Sequence, residues 1–454
     1  MLPTMRRLSI VLVAGLLAAA CGGAVGTQPV AVLAAPSATT APTDLPVVPS
    51  LTATPGGAAP VGAGAVPEAG VLYVWGADDG IYRYDGATGA LTRVWGASTL
   101  ARESAYGPYV LGRHGGTTLL RWDGTTQQVC GGGNWSDFST RETCAFAGSG
   151  ADTAVYTSHT DKDGAPVAQM ILPADWGAGT FAWDGNGLEL AIVRFEYRPE
   201  PIRAHSTLWV MDLRHGGLKK VFDSASPTSY LTSLSWSGRR ISFLEIDSTS
   251  ASASADGLNI HLWVIDVDTG GRIDLGHVIY RPRWSSDGRL AFVRGGDRFT
   301  WTNKELAVLD HDWTVTAAAG GGPTVALAPA WQPVDEGAWL AWIEAPDTSE
   351  CCVRYVAGVG PSAQRVAVLD TAAGRVTVTC PGMVTDGVRL ASDARSVLLL
   401  CRVPGVESHA LQVWYARFGA TPRALVTGLG DLAFGYYGKQ PSLLEITAWS
   451  LAQP

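Results

Sequence analysis

The chain has 454 residues, a formal charge of −8 and only 16% charged residues, and it carries 54 Gly and 17 Trp. Gly-marked turns and many aromatics suit short strands better than helices. The acidic balance, with no Lys/Arg run, argues against nucleic acid as a main partner, because phosphate binding needs basic patches. The length holds one large domain or two ordinary ones.

The chain opens MLPTMRRLSIVLVAGLLAAAC. Arg6 and Arg7 form a positive start, Leu8 to Ala20 is an uncharged apolar run too short for a comfortable membrane span, and three Ala lead to Cys21. This pattern resembles the signal peptide of bacterial lipoproteins, with Ala18 at the position where that family usually has Leu. The resemblance implies that residues 1–20 are removed and that Cys21 is diacylated. The lipid would then anchor the protein to the outer side of the cytoplasmic membrane or in the periplasm. Residues 21–68 are rich in Ala, Pro, Thr and Gly, lack aromatics and are almost uncharged, so they read as a disordered tether. As a flexible coil it would span roughly 40 Å. Residues 69–454 read as a single folded domain.

From Val71 onward a repeat emerges. Its second half comes first, as IYRYDGATGALTRVW from Ile81. Its first half recurs around Trp183 (FAWDGNGLELAIV), Trp236 (LSWSGRRISFLEI), Trp284 (PRWSSDGRLAFV) and Trp331, and in worn form at VRLASDARSVLLLC, 388–401. The Trp positions step by 53, 48 and 47 residues. Each copy is followed by a LWVID-like run and an Asp-Thr-Gly-like turn, as at Leu208, Leu262, Leu306 and Val366. Four short strand-like runs per period of this length mark a β-propeller blade. Strand A ends at the Trp, a Ser/Asp-Gly turn reverses the chain, strand B is LAFV-like, strand C is LWVID-like, and a second hairpin leads to strand D. The Trp-Ser-x-Asp-Gly-Arg-x-Leu-Ala-Phe pattern resembles TolB-like propellers, relatives of the propeller of prolyl oligopeptidase-type enzymes. The expected fold is therefore all-β, a propeller of four-stranded antiparallel blades. Strands A are placed near Tyr106, Phe146, Trp183, Trp236, Trp284, Trp331 and Leu390. An eighth blade would pair the run Asp431 to Gly438 with the strands of 71–95, and seven blades are the alternative. The run 443–451 (LLEITAWSL) has no assigned place.

The A–B and C–D turns read as tight, whereas the B–C connections are long: 196–206, 247–261, 295–305 and 345–365. Loops on a rigid scaffold are where binding concentrates. Two of them interleave cations and aromatics, Tyr197, Arg198, Arg203 and His205 in one and Arg298, Phe299, Trp301 and Lys304 in the other. Arg, Trp and Tyr are enriched in binding hot spots, so these residues form the expected binding face for a protein or glycan.

Setting Cys21 aside leaves six cysteines, an even number in an exported chain. Cys130 and Cys144 bracket the connection between the second and third blades, where a disulfide would close a short loop. Cys351 and Cys352 are expected to pair with Cys380 and Cys401. The adjacent Cys pair and the absence of a Cys-x-x-Cys spacing argue against zinc. No Gly-x-Ser-x-Gly elbow, His-Glu-x-x-His, P-loop or dinucleotide fingerprint occurs. The eight His are scattered without ligand spacing, and Asp161-Lys162-Asp163-Gly164 reads as a hairpin turn rather than a calcium loop. No cofactor or metal is expected. The expected function is a membrane-anchored, non-catalytic binding or scaffolding module of the cell envelope. A propeller hydrolase or lyase acting on polysaccharide is the alternative.

Overall fold

A computed structural model of the chain describes residues 59–429 and 448–451, apart from segments of which 248–259, 296–302, 348–365 and 404–410 are the longest. Residues 1–58, with the expected signal, Cys21 and most of the tether, lie outside the described residues.

The sequence turns into structure most directly at the stretch Arg283–Arg294. Strand A (Arg283–Trp284) and strand B (Leu290–Arg294) pair antiparallel, Trp284 facing Leu290. The turn between them satisfies itself. The Ser285 hydroxyl donates to the Asp287 carboxylate, the Arg289 N–H donates to Ser285 Oγ at 2.8 Å, and Gly288 adopts φ 88°. That left-handed conformation costs little for Gly alone. The C–D turns use Asp instead: Asp266 Oδ1 accepts the N–H groups of Asp268 and Thr269 at 3.0 and 2.8 Å, and Asp85 Oδ1 does the same for Ala87 and Thr88. Local hydrogen bonding of this kind ends strands without help from the rest of the fold.

Repeated, these hairpins build eight antiparallel sheets among the described residues, seven of four strands and one of five. Sheet 1 is Val71–Trp75, Ile81–Asp85 and Leu91–Trp95, with Ala448–Ser450 at strand A. Sheet 2 is Ser98–Ser104, Gly107–Gly112, Thr117–Leu120 and Thr126–Cys130. Sheet 3 is Trp135–Phe138, Cys144–Ala147, Val155–Thr160 and Pro166–Leu172. Sheet 4 is Ala178–Trp183, Glu189–Arg198, Arg203–Asp212 and Gly217–Asp223. Sheet 5 is Ser229–Ser237, Arg240–Asp247, Ile260–Asp266 and Arg272–His277. Sheet 6 continues from Arg283–Trp284 and Leu290–Arg294 with Glu305–Leu309 and Val315–Gly320. Sheet 7 is Thr324–Trp331, Leu340–Pro346, Val366–Thr371 and Gly374–Val378. Sheet 8 is Val384–Leu390, Ser396–Arg402, Leu411–Arg417 and Arg423–Leu429, with Val61–Gly62 added at its outer edge.

The core lies between sheets. Leu208 and Phe222 of sheet 4 share a cluster with Ile241 and Phe243 of sheet 5. Leu262 meets Phe292 between sheets 5 and 6, Leu306 meets Trp342 between 6 and 7, and Ile343 meets Leu399 between 7 and 8. Val155 meets Ile192 between sheets 3 and 4, and Tyr73 of sheet 1 shares a cluster with Leu398 of sheet 8. Each such side chain contributes about 1.5–3 kcal/mol on full burial. The repeated Trp adds a polar staple: Trp284 Nε1 donates to Ser242 Oγ of sheet 5 at 2.9 Å, and Trp331 Nε1 to the Arg283 carbonyl of sheet 6 at 2.8 Å.

Several expectations are corrected here. Strand A of sheet 3 is Trp135–Phe138, and Phe146 sits on strand B. The Trp-turn signature is absent there, so the register was read one strand late. The strand that joins the N-terminal strands of sheet 1 comes from the unassigned run, as Ala448 to Ser450 opposite Tyr73 to Val71. Asp431 to Gly438 lies outside the described residues. Residues 61–68, read as the end of the tether, belong to the fold: Val61 pairs with Thr427, the Tyr84 hydroxyl donates to the Gly64 carbonyl at 2.6 Å, and Val66 is buried. Backbone pairing needs no aromatic residue, which is why composition missed it. Cys380 pairs with Cys401, Cα–Cα 5.7 Å, rather than with the adjacent pair Cys351–Cys352, which lies outside the described residues. The turn into strand A of sheet 8 folds Cys380 back, its N–H donating to Thr385 Oγ1 at 3.0 Å, and Thr385 faces Cys401 across the ladder. Cys144 is disulfide-bonded.

Candidate functional site at the loop end

The A–B and C–D turns leave one end of each sheet, and the B–C connections leave the other. At the B–C end of sheets 5 and 6 the described residues border an open cleft of about 360 Å³, lined by Leu275, His277, Arg294, Gly295, Asn303 and Glu305. Strand D of sheet 5 supplies Leu275 and His277, while strands B and C of sheet 6 supply Arg294 and Glu305.

Local chemistry sets each of these residues. Gly295 has φ 81°, and a Cβ there would collide with the Asn303 carbonyl oxygen, so the two ends of the 296–302 loop approach as only Gly allows. Asn303 itself has φ 49°, and its N–H donates to Asp347 Oδ2 at 2.7 Å, pinning the base of the loop to the end of strand B of sheet 7. Arg294 donates from Nε and Nη2 to Glu305 Oε1 at 3.0 and 2.6 Å. This pair neutralises two charges at the cleft wall while leaving polar atoms there. Beside it, His261 and His277 are cross-strand partners with ring centres 4.4 Å apart. His261 Nδ1 donates to Asp274 Oδ2 at 2.9 Å, and Asp274 Oδ1 accepts the Gly276 N–H at 2.8 Å. Burial, and next the neighbouring His261, push the His277 pKa down, so the ring is neutral near pH 7.

The expected binding residues fare unequally. Arg298, Phe299 and Trp301 lie outside the described residues. Lys304 is fully buried and not on an exposed face, because its carbonyl accepts the N–H groups of Gly321 and Ala326 and seats it beneath the entry to sheet 7. Tyr197, Arg198, Arg203 and His205 do not form a loop. They extend a ladder in which Arg198 faces Arg203, Tyr197 faces Ala204 and Glu196 faces His205. His205 Nε2 is held by Asp223 Oδ1 at 2.7 Å, and Lys220, then His205, hold the Asp223 carboxyl below its usual range. The long B–C connections of sheets 5, 6 and 7 leave the cleft end as expected; that of sheet 4 shrinks to residues 199–202. Sequence reading missed His261, Asp274, His277, Arg294, Asn303 and Glu305. For the histidines a signal existed, since His261 and His277 stand equidistant from the Asp-Thr-Gly hairpin that joins their strands.

No family model matches the chain, and no curated protein does. Solved structures do match. Dipeptidyl peptidase 4 of Porphyromonas gingivalis shares 12% identity over 85% of this chain and 62% of its own, with a TM-score of 0.52. A eukaryotic initiation factor shares 12% over 83% of this chain and 90% of its own, at 0.50. TolB of Acinetobacter baumannii shares 14% over 62% of this chain and 67% of its own, at 0.29. Further matches are mostly peptidases, and this chain spans about half the length of one of them (52%). These matches show the fold, all-β with propeller-containing relatives. The expectation of a non-catalytic scaffold is corrected by the match to a dipeptidyl peptidase; that activity is the matched protein's own and bears on this chain as a proposal.

Proposed function

We propose that the protein is an exported, lipid-anchored propeller peptidase unit, which receives a peptide in the cleft at the B–C end and orients it for hydrolysis. The observation that carries this reading is the fold shared with a dipeptidyl peptidase over 85% of the chain. Fold does not set function, so the cleft has to supply the rest. Its Arg294–Glu305 pair, Asn303 and neutral His277 around Leu275 present both donors and acceptors beside an apolar contact. A peptide backbone, with alternating N–H and C=O groups and no net charge, matches such a lining. The 454 residues contain no Gly-x-Ser-x-Gly elbow, so a serine nucleophile of that type would have to be supplied from outside this sequence.

In this reading the eight sheets are the blades of one closed propeller. Three observations support it: each sheet packs on a sequence neighbour, sheet 8 packs on sheet 1, and strand A of sheet 1 comes from the far end of the chain. The Cys21 lipid and tether would hold it at the outer side of the cytoplasmic membrane or in the periplasm, with the 296–302 loop contributing Arg298, Phe299 and Trp301 to the peptide.

The test is a competition. Full-length protein is immobilised and challenged with a mixed peptide library and a mixed oligosaccharide library, and mass spectrometry reads what is retained and what is cut. Peptides retained or cut by the protein, and not by the Arg294→Gln/Glu305→Gln double variant, are the expected result. Retention of oligosaccharides with every peptide passing unchanged would overturn the reading.

A further inference from the structure

Among the described residues no group of three or more His, Cys, Asp or Glu is arranged to hold a metal ion. The pair at the outer strands of sheet 5 nevertheless has features that a two-imidazole site requires. His261 and His277 sit opposite each other on adjacent antiparallel strands, so both rings project from the same face of the sheet. One nitrogen of the His261 ring is already committed to an acceptor. His261 Nδ1 donates to the Asp274 carboxylate at 2.9 Å. A neutral imidazole that donates from one nitrogen carries its lone pair on the other. Metal-binding histidines are oriented in this same way, their second nitrogen held by a carboxylate or a backbone carbonyl.

The spacing agrees. A metal bound at about 2.0 Å from an imidazole nitrogen stands roughly 3 Å from the ring centre. Two rings whose centres are 4.4 Å apart then subtend about a right angle at the ion, the relation of neighbouring positions in octahedral or square-planar coordination. The nearby guanidinium of Arg294 is neutralised by Glu305, so it raises no net barrier to a cation.

We propose that His261 and His277 form an open binding site for a divalent first-row transition ion, oriented by Asp274 and completed by water. The case for the site does not rest on peptide binding, although His277 lines the same cleft. Two protein ligands leave coordination positions exposed at the edge of the cleft that His277 lines, where an added ligand could reach the ion.

Cu²⁺ is the probe, because imidazole sites bind it most tightly among these ions and because its electron paramagnetic resonance signal counts coordinated nitrogens. Full-length protein is titrated with Cu²⁺, alongside His261→Ala, His277→Ala, Asp274→Asn and a control, His215→Ala, each checked for folding by its melting curve. The expected result is a two-nitrogen signal in the wild type and in the control, abolished in both histidine variants. Asp274→Asn should keep the signal and weaken binding about 10- to 100-fold. Zn²⁺ should raise the melting temperature of the wild type and leave that of His261→Ala unchanged. A signal that survives both histidine variants, or no two-nitrogen signal in the wild type, overturns the proposal.

Discussion

The two ends of the sheets follow different rules. At the turn end, the Asp266 and Ser285 side chains bond within their own hairpins, while long cations tie a hairpin to the next sheet, Lys219 Nζ donating to the Val267 carbonyl and Arg240 Nη1 to the Asp310 carbonyl. At the loop end, Asn303 is fixed by Asp347 of the next sheet, and Cys380 by a disulfide to Cys401. Turn-end backbone is set within each hairpin. Loop-end backbone at Asn303 and Cys380 is tied to neighbouring strands and sheets.

Substitutions can sharpen this contrast. Removing the Cys380–Cys401 disulfide, with Cys380→Ser and Cys401→Ser together, should have the largest effect. It frees a loop whose ends are 21 residues apart and should cost about 3 kcal/mol in the chain-entropy account, read as a drop in the urea unfolding free energy. A smaller loss than Gly270→Ala produces would break the claim that the loop end depends on long-range ties.

The same substitution made at each end comes next. Gly270 has φ 73° with open space around it, so Gly270→Ala should cost about 1–2 kcal/mol from backbone strain alone. Gly295→Ala adds a collision with the Asn303 carbonyl to a similar strain, and about 2–3 kcal/mol is expected. It should also impair peptide retention, whereas Gly270→Ala should leave retention intact. Urea unfolding and the library assay measure the two effects.

Arg294→Gln removes a partly exposed ion pair. It should change stability by no more than about 1 kcal/mol while reducing peptide retention, which separates the cleft's chemistry from its structure. The smallest effect concerns pH. The folded-state pKa of His277 is depressed, so its contribution to stability is present above the unfolded value of about 6.5 and is lost as pH falls through the lower folded value. Unfolding measured from pH 8 to pH 5 should show that decline in the wild type and a flatter curve in His277→Asn.

Residues 180–400 were readable because their hairpins are local. Each Trp, Asp-Gly turn and alternating apolar run lies within a few residues of its partners, so spacing alone located sheets 4–7 and the end to which long connections belong. Sheet 3 was misread because it lacks the Trp-turn mark, and the 196–206 run was taken for a loop because polar strand extensions and loops share a composition. The burial of Lys304, the pairing of Cys380 with Cys401 and the meeting of Val71 to Tyr73 with Ala448 to Ser450 came from the tertiary structure alone. So did the cleft that brings His277 to Arg294 and Glu305. Each of these joins groups in different strands or sheets, and which sheets become neighbours is decided by packing across the whole fold. The repeat could therefore be read from sequence as short-range hydrogen bonding and periodic burial, while the site awaited the contacts between repeats.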